Sequence, residues 1–397
     1  MTQIKHYELG ELADVTKLAG FEFTKYIKYN NYGEIIALRA LNLRHGELDL
    51  TDIKRIDRSV SELLPRSKLY INDILLTYTG NGYGDCAIIE ENDKYHLAPN
   101  ICKIAPNVEK VVPYYLYSYI RTNEFYKIMS SHMTGSSQPT IPMKTIRMLP
   151  IPLPPIVVQE KIAEVAYCIN EKIRKNNAIN KNLEQQAQAI FANEFLSLET
   201  LPEGWKQASL IDIADYLNGL AMQKYRPTAD ESGIPVLKIK ELRQGCCDNN
   251  SELCSPSIKS DYIIHDGDVI FSWSGSLLVD LWCGGICGLN QHLFKVTSSK
   301  YDKWFYYAWT KHHLDRFVAV AADKATTMGH IKRDELAKAE VLIPNEADYN
   351  RIGALLQPIY EMIISNRIEN KKLAATRDTL LPKLMNGEID ISEVDYE

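Results

Sequence analysis

The chain has 397 residues, 45% hydrophobic and 24% charged, the proportions of an ordinary globular protein with room for two or three domains. No uninterrupted apolar run approaches ~18 residues, which excludes a membrane-spanning helix from the expectation. A net charge of −6 argues against a free-standing protein that coats nucleic acid without specificity, because such proteins are basic.

The first globular unit is expected over residues 1–155. Its β-branched and aromatic runs at 34–43, 73–79, 86–89 and 101–104 read as strands. Residues 114–129 read as a helix with Tyr115, Tyr119, Tyr126 and Met129 on its core side. Between two of the strands lies Gly80-Asn81-Gly82-Tyr83-Gly84. A phosphate-cradling loop should open a helix, whereas this one leads into another strand, so a hairpin is expected.

Residues 156–200 hold a long helix, over about 157–191, and a linker. Ile162, Ala166, Ile169, Ile173, Asn176, Asn180, Leu183, Ala187 and Ile190 step by four and three, the narrow seam of a coiled coil. At ~1.5 Å per residue this helix spans about 50 Å. Leu201-Pro202-Glu203-Gly204-Trp205 then restarts the chain, and a second globular unit is expected over 201–345. A second helix is expected within 346–390, from about 349 to 385. Its seam is Ile352, Leu356, Ile359, Ile363, Asn366, Asn370, Leu373, Arg377 and Leu380. Pro358 is expected to bend it near its start, and Asn386-Gly387 to end it. Residues 391–397 are a tail.

These elements are two copies of one unit. Residues 141–190 match 331–380 at a spacing of roughly 190. Residues 35–46 lie over 234–245, 73–80 over 268–275, and 135–138 over 325–328. The shared positions are strand-like and the differences fall in turns, as in one scaffold reading two targets. The expected fold is α+β: two similar domains, each followed by a long helix, with the helices paired as an antiparallel coiled coil. Asparagines recurring at Asn176, Asn180, Asn366 and Asn370 are expected to fix register and orientation at some expense of stability. A pseudo-two-fold protein suits a partner with two halves, of which long duplex DNA is the commonest.

The motifs offer little catalysis. The chain has no P-loop, no H-E-x-x-H and no G-x-S-x-G. It also lacks the Asn/Asp-Pro-Pro-aromatic tetrad that amino-methylating enzymes use to hold a flipped base; Pro154-Pro155 follows a leucine. No residue is assigned a catalytic or metal-ligating role. Cys246, Cys247, Cys254, Cys283 and Cys287 match no standard zinc spacing and are read as partly buried thiols.

The loops do offer groups that read DNA. In the first copy these are Arg39, Asn42, Arg44, Tyr78, Thr79, Asn81, Ser136, Ser137, Gln138 and Lys144. In the second they are Lys238, Lys240, Arg243, Trp273, Ser274, Thr326, Thr327, His330 and Lys332. Arginine can bond both major-groove acceptors of guanine, glutamine can pair with adenine, and lysine and hydroxyls can hold phosphates.

With the two repeats, two further motifs carry a family resemblance. One is Leu153-Pro154-Pro155-Ile156-Val157-Val158-Gln159-Glu160-Lys161-Ile162, before and into the first helix. The other is Leu380-Leu381-Pro382-Lys383-Leu384-Met385-Asn386-Gly387-Glu388-Ile389, at the end of the second. Over essentially its whole length the chain resembles the specificity subunit of type I restriction-modification enzymes. The second copy departs at Asn345-Glu346 and at Tyr349, which stands where the first has Gln159.

The resemblance implies two target recognition domains, each reading half of a bipartite site in double-stranded DNA, and a helical spacer that sets the gap. It implies two methyltransferase (modification) subunits and, for cleavage, restriction subunits. No cofactor is expected on this chain; S-adenosylmethionine, ATP and Mg belong to those partners. The opening residues lack a secretory signal, and a cytoplasmic location with no membrane partner is expected. Two other readings stand beside this one: a small methyltransferase binding S-adenosylmethionine at residues 80–84, and a two-headed coiled-coil adaptor that binds no nucleic acid.

Overall fold

The computed structural model describes residues 4–44, 46–80, 82–135, 139–323, 331 and 333–392. They form two compact units, Met1–Lys172 with Leu373–Glu397, and Ile173–Lys372. Each long helix therefore contributes one half to each unit.

In the first unit, Lys5–Glu8 pairs antiparallel with Pro150–Leu153, the strand that leads into the first long helix. A four-stranded sheet follows in the order Ala13–Lys17, Ile101–Pro106, Ile74–Thr77, Cys86–Ile88. A three-stranded sheet sets Ile35–Leu38 between Lys54–Ile56 and Tyr95–Leu97, parallel to the latter. The strands alternate buried apolar side chains from two clusters. One is centred on Ile74, Leu76, Ile104 and Tyr115, the other on Ile36, Leu38, Leu75 and Leu97.

The second unit repeats this plan. Lys206–Ser209 pairs with Glu340–Ile343, and a sheet runs Asp215–Asn218, Leu293–Thr297, Val269–Ser272, Leu278–Leu281. Ile234–Leu237 lies parallel to Cys287–Leu289, as its counterpart does in the first unit. The repetition reaches single side chains. Asp73 accepts the Tyr70 N–H at 2.8 Å, and Asp268 accepts the His265 N–H at 2.9 Å. Lys103 donates to the Lys68 carbonyl and Lys295 to the Ile263 carbonyl, both at 3.0 Å.

Two expected elements differ. The strand over 34–43 stops at Leu38, because the Asn42 side chain accepts the Arg39 N–H at 3.1 Å and closes the 3-10 turn Ala40–Asn42. The helix over 114–129 is two helices, Pro113–Ile120 and Asn123–Ser131. Thr122 divides them: its hydroxyl accepts the Phe125 N–H at 3.2 Å as an N-cap. Tyr115, Tyr119 and Met129 are buried, whereas Tyr126 is exposed and stacks on Tyr83 with ring centroids 5.3 Å apart.

The first long helix is Ile156–Phe191, followed by a π turn at Ala192–Leu196. The second, Glu346–Met385, continues through Pro358. It ends at Gly387, whose φ of +70° suits glycine, with the Glu388 N–H returning to the Lys383 carbonyl at 2.9 Å.

Within each unit the two helices run antiparallel. In the first, Arg377 donates to Asn170 at 2.9 Å and Lys161 to the Ser392 carbonyl. In the second, Asn176 donates to Asn370, Asn366 to Asn180, and Arg351 to Glu194, so residue numbers fall on one helix as they rise on the other.

Gln159 shows what the Pro-Pro-x3-Gln motif does. Its buried side chain accepts the Val112 N–H at 2.9 Å and donates to the Pro154 carbonyl at 2.9 Å. One glutamine thus ties the start of the long helix to the start of the helix Pro113–Ile120.

Candidate nucleic-acid interface

In the first unit, sheet register gathers several segments at one end. Lys17 lies opposite Cys102, Cys102 opposite Leu76, and Thr77 opposite Ile101. Past Thr77 the chain enters the tight turn at Gly80 and Gly84, both near φ +90°, and returns antiparallel as Cys86–Ile88. This is a hairpin rather than a strand-to-helix phosphate loop. Tyr78 accepts the Ile141 N–H through its carbonyl at 3.0 Å, and the Gly80 N–H donates to the Pro139 carbonyl at 2.9 Å. The hydroxyls of Thr79 and Thr140 meet at 2.6 Å. Lys17 stands over the Tyr78 ring at 5.4 Å, and burial raises the phenol pKa, keeping it neutral and able to donate. Asn81, Ser136, Ser137 and Gln138 lie outside the described residues.

The turn after Ile35–Leu38 divides its polar residues between two tasks. Asn42 is fully buried and donates to the carbonyls of Asp49 and Asp52, each at 2.8 Å. It braces the 42–52 loop and does not face solvent. Arg39 is mostly covered and bonds the Asp52 carbonyl at 2.8 Å. Arg44 is exposed, with Asp49 at 3.6 Å. Lys144 is exposed on the short helix Met143–Arg147.

The second unit assembles the same sheet end with different groups. Trp273 occupies the place of Tyr78: its carbonyl accepts the Ile331 N–H at 3.0 Å. Its indole donates to Asn218 at 2.9 Å, and its ring lies 5.6 Å from that of Phe294. Ser274 is buried, 3.2 Å from His292 Nδ1. Ser274 and the Trp273 indole are thus committed within the fold. Lys238 pairs with Glu252 at 2.7 Å, and Lys240 with Asp248 at 3.0 Å; Arg243 is exposed. Such surface pairs are worth little, so these lysines can exchange a carboxylate for a phosphate. Thr326, Thr327, His330 and Lys332 lie outside the described residues.

On the helices, Ile162, Ile352, Ile363, Asn176, Asn180 and Asn366 are buried, and Ile169, Ile173, Leu183, Ile359, Asn370 and Leu373 are half-buried. The asparagines bond one another: Asn176 to Asn370 at 2.9 Å, Asn366 to Asn180 at 2.9 Å, and Asn370 to Asn177 at 2.8 Å. Beside them Arg367 bridges Asp280 at 2.8 Å and Glu184 at 3.0 Å.

Among the described residues no group of three or more His, Cys, Asp or Glu side chains is placed to hold a metal ion. Cys254, Cys283 and Cys287 are buried; Cys246 and Cys247 are half-buried. No helix among the described residues is long and apolar enough to cross a membrane.

Two sequence signals became readable only in the structure. Gln159 is a positioning residue whose partners lie in another element. Residues 20–33 carry no strand pattern, only an interleaving of aromatic residues with lysines, and they leave Phe21 and Tyr32 exposed.

A duplicated α+β unit, each copy continuing into a long helix, with the helices antiparallel within each unit, defines a class of internally repeated α+β proteins. The family model of the type I restriction modification DNA specificity domain matches this chain twice, over residues 1–188 and 202–375, and the chain belongs to that family. The MjaIX specificity subunit of Methanocaldococcus jannaschii is 27% identical over 72% of this chain and 71% of its own length. The HindI specificity subunit of Haemophilus influenzae is 20% identical over 98% and 100%. The crystal structure of the type I restriction-modification S subunit from M. genitalium shares the fold, with a TM-score of 0.58 at 13% identity over 96% of both chains. The family is that of the non-catalytic subunits that give type I restriction enzymes their DNA specificity.

Proposed function

We propose that this chain reads a bipartite site in duplex DNA, one globular unit per half-site, with the paired helices fixing the unread gap between them. The observation that carries the reading is the equivalence of the two sheet ends. Tyr78 with Ile141 and Trp273 with Ile331 make the same backbone bond, so one scaffold presents two different sets of side chains. In this reading the recognition domains are residues 1–155 and 201–345. The spacer is residues 156–200 and 346–390, and 391–397 form a tail.

Half-sites about one helical turn (~34 Å) apart suit a spacer of this length. The asparagine bonds hold the helices in one register, which makes the gap a fixed number of base pairs. Two modification subunits dock along the helical regions, and restriction subunits join for cleavage. S-adenosylmethionine, ATP and Mg belong to those subunits, and the place of action is the cytoplasm. Partners that complete the enclosure of DNA account for the acidic balance of the chain, −6 overall.

The hairpin at Gly80–Gly84 speaks against a methyltransferase, because no helix N-terminus follows it to receive a cofactor. The test is domain exchange. Replacing residues 34–144 by those of another family member changes one half of the methylated motif and leaves the other half and the gap intact. A change in both halves contradicts independent reading.

A further inference from the structure

We propose that residues 20–33 of the first unit form a lobe that grips the duplex beside the first half-site; this rests on the DNA-reading function above. The lobe is the helix Gly20–Tyr26 and the turn after it, inserted between the strands Ala13–Lys17 and Ile35–Leu38. It leaves the sheet at the end that also carries Tyr78, and Lys17 at its root covers the Tyr78 ring. Its own helix has no buried residue. Phe21 is 70% exposed and Tyr32 94% exposed.

This exposure is built in. Asn30 receives the N–H groups of Tyr32 and Gly33, donates to Asp57 at 2.9 Å, and bonds the Arg55 carbonyl through its own N–H. Gly33 passes so close to the strand Lys54–Ile56 that a Cβ there would lie 2.4 Å from the Ile56 carbonyl oxygen. A turn pinned at four points holds one tyrosine out in solvent. Tyr29 packs on Phe23 with centroids 6.1 Å apart.

Charge complementarity names the occupant. Lys25 and Lys28 are exposed and, among the described residues, in no ion pair. The acidic Glu22 is turned inward to cap the Ala19 N–H at 3.1 Å. Lys25 lies over the Tyr26 ring at 4.9 Å, and lysines without a carboxylate partner beside exposed aromatics match a phosphate backbone. The corresponding segment of the second unit also exposes a basic–aromatic run, Lys224-Tyr225-Arg226, but seats it differently. Met222 is buried, Gly219 lies against the Asn290 carbonyl, and Glu231 gathers the hydroxyls of Ser255 and Ser257.

The experiment measures binding of the full chain, assembled with its modification subunits, to a labelled duplex carrying its mapped motif and to a scrambled duplex, across a salt series. Lys25→Ala with Lys28→Ala weakens both complexes and flattens the plot of log K against log salt by about 1.8, two phosphate contacts at about 0.9 each. Tyr32→Ala weakens binding several-fold. Lys5→Ala, an exposed lysine on the strand beside Pro150–Leu153, leaves both unchanged. Lobe variants that bind with the parental affinity and slope overturn the proposal while the functional reading stands. Variants that lose the modification subunit instead of DNA overturn it in favour of a protein contact. A parental complex that does not distinguish the two duplexes overturns the functional reading and the lobe with it.

Discussion

The Tyr349 hydroxyl accepts the backbone N–H of Asp302 at 2.8 Å, the contact that Gln159 makes with Val112 in the first copy. In both units the N–H belongs to the residue just before a buried helix, Pro113–Ile120 or Lys303–His312. Where the first copy uses a glutamine amide, the second makes the equivalent tie with a phenol. Tyr349 also donates to the Asp302 carboxylate at 3.1 Å.

Removing either tie leaves backbone groups without their partner. Gln159→Ala is expected to destabilise the chain by about 1–3 kcal/mol in urea unfolding, and Tyr349→Phe by a similar or smaller amount because its site is half-buried. Parental midpoints for both variants would contradict the shared role.

The Asn180–Asn366 bond gives a prediction of opposite sign for single and double changes. Asn366→Ala strands the Asn180 Oδ1 among buried side chains, its Nδ2 keeping the Ile363 carbonyl, and is expected to lower stability by about 1–3 kcal/mol. Replacing both with leucine is expected to restore or exceed parental stability while loosening register, read as a spread of gap lengths among methylated sites. A double variant that keeps a single gap removes the asparagines from register control.

His313 predicts an acid sensitivity. Burial lowers its pKa from 6.5 to about 4, and its Nε2 lies 2.7 Å from the Glu340 carbonyl, to which the neutral ring donates. The folded state resists protonation while the unfolded chain takes up a proton near pH 6.5, so stability is full above that pH. It is lost as pH falls from 6.5 to 4, by about 3 kcal/mol in all. His313→Gln is expected to flatten this part of the stability profile. An unchanged slope would assign the acid sensitivity to other groups.

Seven residues inserted into both long helices, after Lys172 and after Lys372, add about 10 Å to the spacer, or about three base pairs. The methylated motif is expected to keep both half-site sequences and lengthen its gap by that amount. An unchanged gap would mean that the helices do not measure it.

The duplication and both long helices were legible because their signals are periodic. Apolar residues stepping by four and three from Ile162 to Ile190 leave no strand alternative. The break at Thr122 was hidden by aromatic residues that continue across it, and only the hydroxyl's bond to Phe125 reveals the cap. Asn42 and Ser274 read like surface turn residues, yet both are buried, Asn42 on the Asp49 and Asp52 carbonyls and Ser274 against His292. Gln159 acts on Val112, 47 residues away, a distance at which no local pattern operates. The lobe at 20–33 carries neither an apolar period nor a strand alternation, and the match of Lys25-Tyr26 to Lys224-Tyr225 is too short to mark it.

The most direct test of the central claim is genome-wide adenine methylation mapping in cells carrying this chain with its modification subunits, set against cells lacking the chain. The account predicts a new methylated motif of two short blocks separated by a fixed unread gap. A contiguous motif, or no new motif although the modification subunits co-purify with this chain, would contradict it.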